Sequence, residues 1–398
     1  MNTAMDTAMS SLDETLAHEL ETLSRAGLRR TMRAVERGGG AQITVDGVSA
    51  VDFSSNDYLG IANDPRVANV AAAQLMESHA TGAAAARLIS GTHPAHLELE
   101  RDLALFKGAE AALLFASGYA ANTGTIPAVV GRRDAIYADE LNHASLIDGA
   151  RLSRAETRVF PHRDLNALRA MLKDDAGKFR RRMIVVDGVF SMDGDLFPLD
   201  QLVPIARQYG AWTYVDDAHA TGALGAHGRG STEHFGVEGD IDIVMGTLGK
   251  AIGTAGAFVS GSATLIDYLA NRARAFIFTT AAPPALAAAT IEALRIVQDE
   301  PWRRDRLIGN ALVVRDGLRG IGLTPGGDAD GYIIPVVLGD AERTAATGRA
   351  LCQRGFLVGA VRPPTVPMGR SRLRITVSAS HTRDQISGLI EALRTVLG

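Results

Sequence analysis

The chain has 398 residues, a net charge of -4, and 46% hydrophobic against 22% charged residues, the composition of a globular protein long enough for a large core and more than one domain. The slightly acidic balance argues against nucleic-acid binding, no run reaches the ~18 apolar residues of a membrane span, and the single cysteine, Cys352, excludes an internal disulfide or a thiolate zinc cluster. The start carries Asp6 and no apolar segment of the secretory kind, so a cytoplasmic location is expected.

Residues 12–37 have a helical pattern that turns basic, with Arg25, Arg29, Arg30, Arg33 and Arg37 ahead of the break at Gly38, Gly39 and Gly40. Arginines so spaced ordinarily form a solvated face. Residues 42–53 alternate around Asp46 and Gly47, a two-residue hairpin signal, so residues 1–55 read as an arm plus a small hairpin. The following stretch, Ser54 to Gly60, reads as too polar for the core.

Residues 56–299 alternate strand and helix patterns, the mark of an α/β domain with a mostly parallel sheet covered on both faces. Strands are expected at 112–115, 135–138, 158–160, 183–186, 213–215, 243–245 and 256–260. The chain changes character at Glu300 and Pro301, and residues 300–398 read as a smaller α+β domain with a βαβ-like order.

Chemistry-bearing residues follow the strand ends. The apolar run at 243–245 stops at Gly246 and Gly249 and delivers Lys250. A lysine in such a turn is ordinarily solvated, but one buried at a strand end loses water, and its pKa falls toward that of a nucleophilic amine. Val244 and Ala251 stand where a phosphate loop needs glycine and a hydroxyl, so that reading fails.

Asp216, Asp217 and His219 close another strand, where ligands meet open α/β sheets. They suit a metal, which lacks companion ligands here, or a carboxylate that keeps the ring nitrogen of pyridoxal phosphate protonated, with Asp217 the structural member. Ser117 and Gly118 open a helix and offer free amides to an anion, or merely turn the chain. His143 could stack on a flat ring or cap the next helix, and Ser191 adds a hydroxyl on the same edge. Thr279 and Thr280 precede Pro283 and Pro284, while Arg362 stands among prolines, either presented to a carboxylate or left as a structural bracket. His93 and His96 read as helix-start packing.

These motifs, in this order over nearly the whole chain, resemble the α-oxoamine synthases, pyridoxal-phosphate enzymes of the aspartate-aminotransferase fold (fold type I). The resemblance rests on Asn56 to Gly60, Val215 to Gly222, Thr247 to Lys250 and Ser378 to His381. It implies that Lys250 holds the cofactor as a Schiff base and then acts as base, with Asp216, His219 and His143 completing the catalytic set. Asp216 would pair with the ring nitrogen, His143 would stack on the ring, and His219 and Ser191 would reach its hydroxyl. Gly118, Tyr119 and Thr247 would serve the phosphate, and Thr280 the phosphate of a neighbouring subunit in a homodimer with shared active sites. Arg362 would hold the amino-acid carboxylate with Asn56 nearby, and Arg29 and Thr365 would serve the acyl substrate. No metal is implied.

Within the family, residues 362–367 are most similar to the branch that condenses L-alanine with a pimeloyl thioester, carried on coenzyme A or an acyl carrier protein. The alternative is a sister activity with glycine or serine and another acyl group. Two departures bear on that choice: Gly82 to Arg87 reads G-A-A-A-A-R where relatives have G-x-G-G-S-R, and Ala220 replaces a glycine.

Overall fold

The computed structural model describes residues 11–398. The strands are β1 (Val35–Arg37), β2 (Gln42–Val45), β3 (Val48–Phe53), β4 (Ala111–Phe115), β5 (Ala135–Asp139), β6 (Glu156–Phe160) and β7 (Arg182–Asp187). They continue as β8 (Trp212–Asp216), β9 (Ile243–Thr247), β10 (Ala257–Gly261), β11 (Ile333–Gly339), β12 (Phe356–Val361) and β13 (Ser371–Thr376). Seven of them form one sheet in the order β4-β10-β9-β8-β7-β5-β6, and β10 alone runs against its neighbours. Each strand expected from sequence in residues 56–299 is present, because a sheet covered on both faces needs near-continuous apolar runs. In β7, Met183 and Val185 enter one core while Ile184 and Val186 enter the other, the period of two that a strand imposes.

The second sheet has the order β1-β2-β3-β12-β13-β11. The expected hairpin forms, with Asp46 and Gly47 both at positive φ, and β3 pairs in parallel with β12. The hairpin is therefore built into the sheet of the C-terminal segment. The βαβ-like order expected there is modified: β13 sits between β11 and β12, antiparallel to both.

Two expectations need correction. The N-terminal helix runs only over Leu12–Arg25, because Gly27 turns at φ +66 and Val35–Arg37 pairs with β2. Arg29, Arg30, Arg33 and Arg37 thus lie beyond the helix. The stretch thought too polar for core also contains Tyr58 and Leu59, both fully buried under the second sheet's residues.

Asp217, expected to be structural, accepts from Lys107 Nζ at 2.8 Å, with both side chains almost wholly buried, and from Ser231 Oγ at 2.5 Å. Asp217→Ala leaves that ammonium without a counter-ion, and a buried pair broken on one side costs about 3–5 kcal/mol. The denaturant midpoint should fall accordingly, and an unchanged midpoint would show that the pair is not needed. Among the described residues, no helix is long and apolar enough to cross a membrane.

Candidate active site

The register places Asp187 at the end of β7 opposite Asp216 at the end of β8, with Met245 of β9 next in the row. Adjacent strands lie about 4.8 Å apart, so the turns that follow share one crevice. The turn after β5 leads to His143, that after β7 to Ser191, that after β8 to His219 and that after β9 to Lys250. From β4, Ser117 caps the helix Gly118–Val129, accepting from Ala120 N at 3.1 Å and leaving the Gly118 and Tyr119 amides for another acceptor.

Lys250 is half-buried, and among the described residues its amine has no hydrogen-bond partner. Burial lowers its pKa to about 8; Asp216 and Asp187 pull against that shift, and Arg374 reinforces it. The result is an amine neutral over much of the mildly alkaline range.

Asp216 is buried, which raises its pKa, while the charges and donors around it, Lys250 and Asn122 first, oppose the rise. Its Oδ2 accepts from Asn122 Nδ2 at 2.7 Å and its Oδ1 from Ala218 N at 3.0 Å. Asn122 also donates to Ser145 Oγ at 2.8 Å, which lies 2.7 Å from His143 Nδ1, so a hydrogen-bonded chain ties the imidazole to the carboxylate. His143 is exposed, yet the surrounding protein desolvates its ring and lowers its pKa. Asp187 accepts from the His143 amide at 2.8 Å, and burial beside Asp216 raises its pKa strongly.

His219 is also buried and held neutral, by desolvation first and then by Lys250 and Arg374. Its Nδ1 lies 2.6 Å from Tyr58 Oη, and Tyr58 donates to Asn56 Oδ1 at 3.1 Å. Arg374 of β13 donates from Nη2 to Asn56 Oδ1 at 3.3 Å and from Nε to the Ser191 carbonyl at 2.5 Å. The second sheet thereby brings a buried arginine into the electrostatic reach of Lys250.

A family model for class I and II aminotransferases matches residues 48–393. The chain belongs to this family. The 8-amino-7-oxononanoate synthase of Alkalilimnicola ehrlichii is 48% identical over 396 residues, 98% of this chain and 99% of that protein. A solved serine palmitoyltransferase of S. paucimobilis with a bound PLP-myriocin aldimine has a TM-score of 0.91 at 31% identity, covering 97% of this chain and 98% of that one. A solved 8-amino-7-oxononanoate synthase of Francisella tularensis has a TM-score of 0.76 at 27% identity, covering 87% and 98%.

For a member of the class I and II aminotransferase family, the chain's own residues fit pyridoxal phosphate. Asp216 is a buried carboxylate pushed toward neutrality, an environment that a cationic ring nitrogen would relieve. Gly118 has no room for a Cβ, which would stand 2.7 Å from Thr247 Cγ2. The two residues expected on the phosphate side are therefore in contact. Thr247 Oγ1 donates to the Ala218 carbonyl at 3.1 Å, tying the β9 turn to the β8 turn.

Other expected residues fall elsewhere. The Tyr119 side chain is exposed and hydrogen-bonds Asp148, leaving only its amide for an anion. Arg362 donates to the Gly27 carbonyl at 2.5 Å and lines an outer groove with Arg29, while Arg374 is the arginine whose charge reaches Lys250. The reason is the path of the chain: the turn carrying Arg362 faces the N-terminal arm, whereas β13 runs past Asn56 and Ser191. Thr365 Oγ1 accepts from Arg30 Nη2 at 2.9 Å, pairing it with Arg30 rather than Arg29. Thr280 is exposed and bridges Ala86, away from these contacts.

Sequence reasoning passed over Arg374, Asp187, Asn122 and Tyr58. A signal existed for the first: in Ser371 to Thr376, Arg372 and Arg374 alternate with Leu373 and Ile375, two arginines on one face of a buried strand.

Proposed function

We propose that the chain is a pyridoxal-phosphate acyltransferase that condenses L-alanine with a pimeloyl thioester to 8-amino-7-oxononanoate, releasing carbon dioxide and the free thiol, in biotin biosynthesis. The observation that carries this reading is the 48% identity over 98% of the chain to a named synthase of that product. The sister reading, serine with a long-chain acyl group, is favoured by the TM-score of 0.91 but rests on 31% identity. Thiol release with L-alanine, glycine and L-serine against pimeloyl and palmitoyl thioesters separates them. L-Alanine with the pimeloyl donor should be fastest, and serine with palmitoyl in first place would install the sister reading.

Lys250 would hold the cofactor, Asp216 its ring nitrogen, His143 its ring face, His219 and Ser191 its ring hydroxyl, and Thr247 with the Gly118 and Tyr119 amides its phosphate. When bound, pyridoxal phosphate supplies an electron sink for negative charge at the alanine α-carbon. Lys250, its pKa lowered by burial, takes the α-proton and later returns a proton to that carbon. His219, kept neutral against Tyr58, offers Nε2 as a single donor or acceptor. Arg374, fixed by Ser191 and Asn56, holds the alanine carboxylate until it leaves as carbon dioxide.

Arg374→Ala should therefore raise KM for L-alanine roughly 30-fold, the equivalent of about 2 kcal/mol for a hydrogen bond to a charged group. Arg362→Ala should leave that KM within about threefold, since its half-exposed guanidinium is taken up by the Gly27 carbonyl of the arm. Steady-state kinetics in L-alanine reads both, and the reverse ranking would return the carboxylate to Arg362.

A groove of about 740 Å³ lined by Arg29, Arg30, Arg33, Arg349 and Arg362 suits an anionic thioester carrier, whether coenzyme A or an acyl carrier protein. A homodimer with shared sites is supported by exposed Leu88, Ile89 and Phe278 in the two segments that Ala86 and Thr280 bridge. In it Thr280 would reach the partner's phosphate site.

A further inference from the structure

Residues 188–197 form a tight loop after β7 that carries Ser191 and joins the two sheets. Phe190 N donates to the Asp195 carbonyl at 2.9 Å, Gly194 N to the Phe190 carbonyl at 2.9 Å, and Phe197 N to the Gly188 carbonyl at 3.1 Å. From the second sheet, Arg374 donates to the Ser191 carbonyl and Arg372 to the Met192 carbonyl at 3.2 Å. From the first sheet, His162, just past the end of β6, reaches the loop at Asp195, with Arg163 beside it.

His162 Nδ1 lies 3.0 Å from Asp139 Oδ1 at the end of β5, and its Nε2 lies 3.2 Å from Asp195 Oδ2 in the loop. Its ring meets Phe190 edge to face at 4.4 Å. The other charged groups at this junction are Glu140, which accepts from the His162 amide, and Arg163, which reaches Asp195 at 3.9 Å and Asp328 at 3.2 Å. A ring with a carboxylate on each nitrogen satisfies both only when both nitrogens carry hydrogen. A neutral ring would leave Asp139 or Asp195 facing a lone pair, with two like charges across it.

We propose that His162, as an imidazolium bridging Asp139 and Asp195, is a positioning residue that fixes the 188–197 loop and, through the Ser191 carbonyl, the orientation of Arg374 toward the amino-acid carboxylate. The inference rests on the proposed role of Arg374 and adds a residue remote from the reacting atoms. Burial alone would lower the His162 pKa, but the hydrogen bonds that its ring donates to Asp139 and Asp195 outweigh it and bring it to about 9. Since 9 lies above the ordinary 6.5, the stabilising charge is fully present below about pH 6.5 and is lost as pH rises through about 9.

The test compares wild-type, His162→Gln and His162→Arg holoenzymes by thiol release, measuring kcat and KM for L-alanine from pH 7 to 10. In the wild type, KM should rise about tenfold as pH passes 9, because weakened charge-assisted hydrogen bonds loosen the clamp. His162→Gln should show the raised KM already at pH 7.5 with kcat within about threefold, while His162→Arg, charged throughout, should keep the low KM to pH 10. The proposal fails if His162→Gln follows the wild-type KM at every pH, or if His162→Arg shows the same alkaline rise. Should His162→Gln not fold, the arginine comparison decides alone. A wild type inactive with L-alanine at every pH would instead count against the proposed reaction itself.

Discussion

Lys250→Ala should lower thiol release from a pimeloyl thioester by about 10⁴-fold, the upper range for loss of a general base, with further loss from the missing covalent anchor. The amine follows the end of β9, and among the described residues it has no hydrogen-bond partner and no second lysine bears on Asp216 and Asp187. Its pKa of about 8 has a measurable consequence before any turnover. Only the neutral amine attacks an aldehyde, so capture of pyridoxal phosphate by the cofactor-free chain should slow about tenfold per pH unit below 8 and level off above it. Borohydride should then fix the cofactor to the peptide containing Lys250 in the wild type and leave Lys250→Ala unlabelled. Labelling of another lysine, or turnover of Lys250→Ala within tenfold of wild type, would remove Lys250 from the centre of the account.

Asp216→Asn should lower kcat by roughly 10³-fold, the scale on which a preorganised charge in a water-excluded site acts. Asparagine keeps the shape and can still accept from Asn122 or Ala218, so folding should survive while the charge proposed to face the ring nitrogen is lost. Asp187→Asn makes the useful contrast. Burial beside Asp216 already drives the Asp187 carboxyl toward its protonated form, and an amide mimics that form. Its expected loss is less than about tenfold, provided the acceptor for the His143 amide is kept. Equal losses in the two variants would show that the charge at the row of strand ends is shared rather than carried by Asp216.

How much of this was legible in the sequence depended on what each signal had to report. The strand ends that carry Lys250, Asp216, His143 and Ser191 could be read because parallel strands buried on both faces advertise themselves as apolar runs stopped by turns. Arg374 was hidden for the opposite reason. It lies within a strand of the second sheet, and only tertiary pairing of β13 with β11 and β12 brings it to Asn56 and Ser191. Arg362, fixed among prolines, looked better presented, but its turn faces the arm at Gly27. Tyr58 sits in a polar-looking stretch whose burial comes from the elements that fold over it, and Asn122 is recognisable as a partner of Asp216 only once its helix is placed against β8. The arm failed locally: a helical pattern continued past Gly27, where the backbone turns to positive φ.

The most direct measurement supplies the purified chain with pyridoxal phosphate, L-alanine labelled with ¹³C at its carboxyl carbon, and a pimeloyl thioester, and follows carbon dioxide, thiol and the amino ketone together. The account predicts one labelled carbon dioxide and one thiol for each unlabelled 8-amino-7-oxononanoate. Thiol release without labelled carbon dioxide, or a product that retains the label, would contradict decarboxylative condensation at this site.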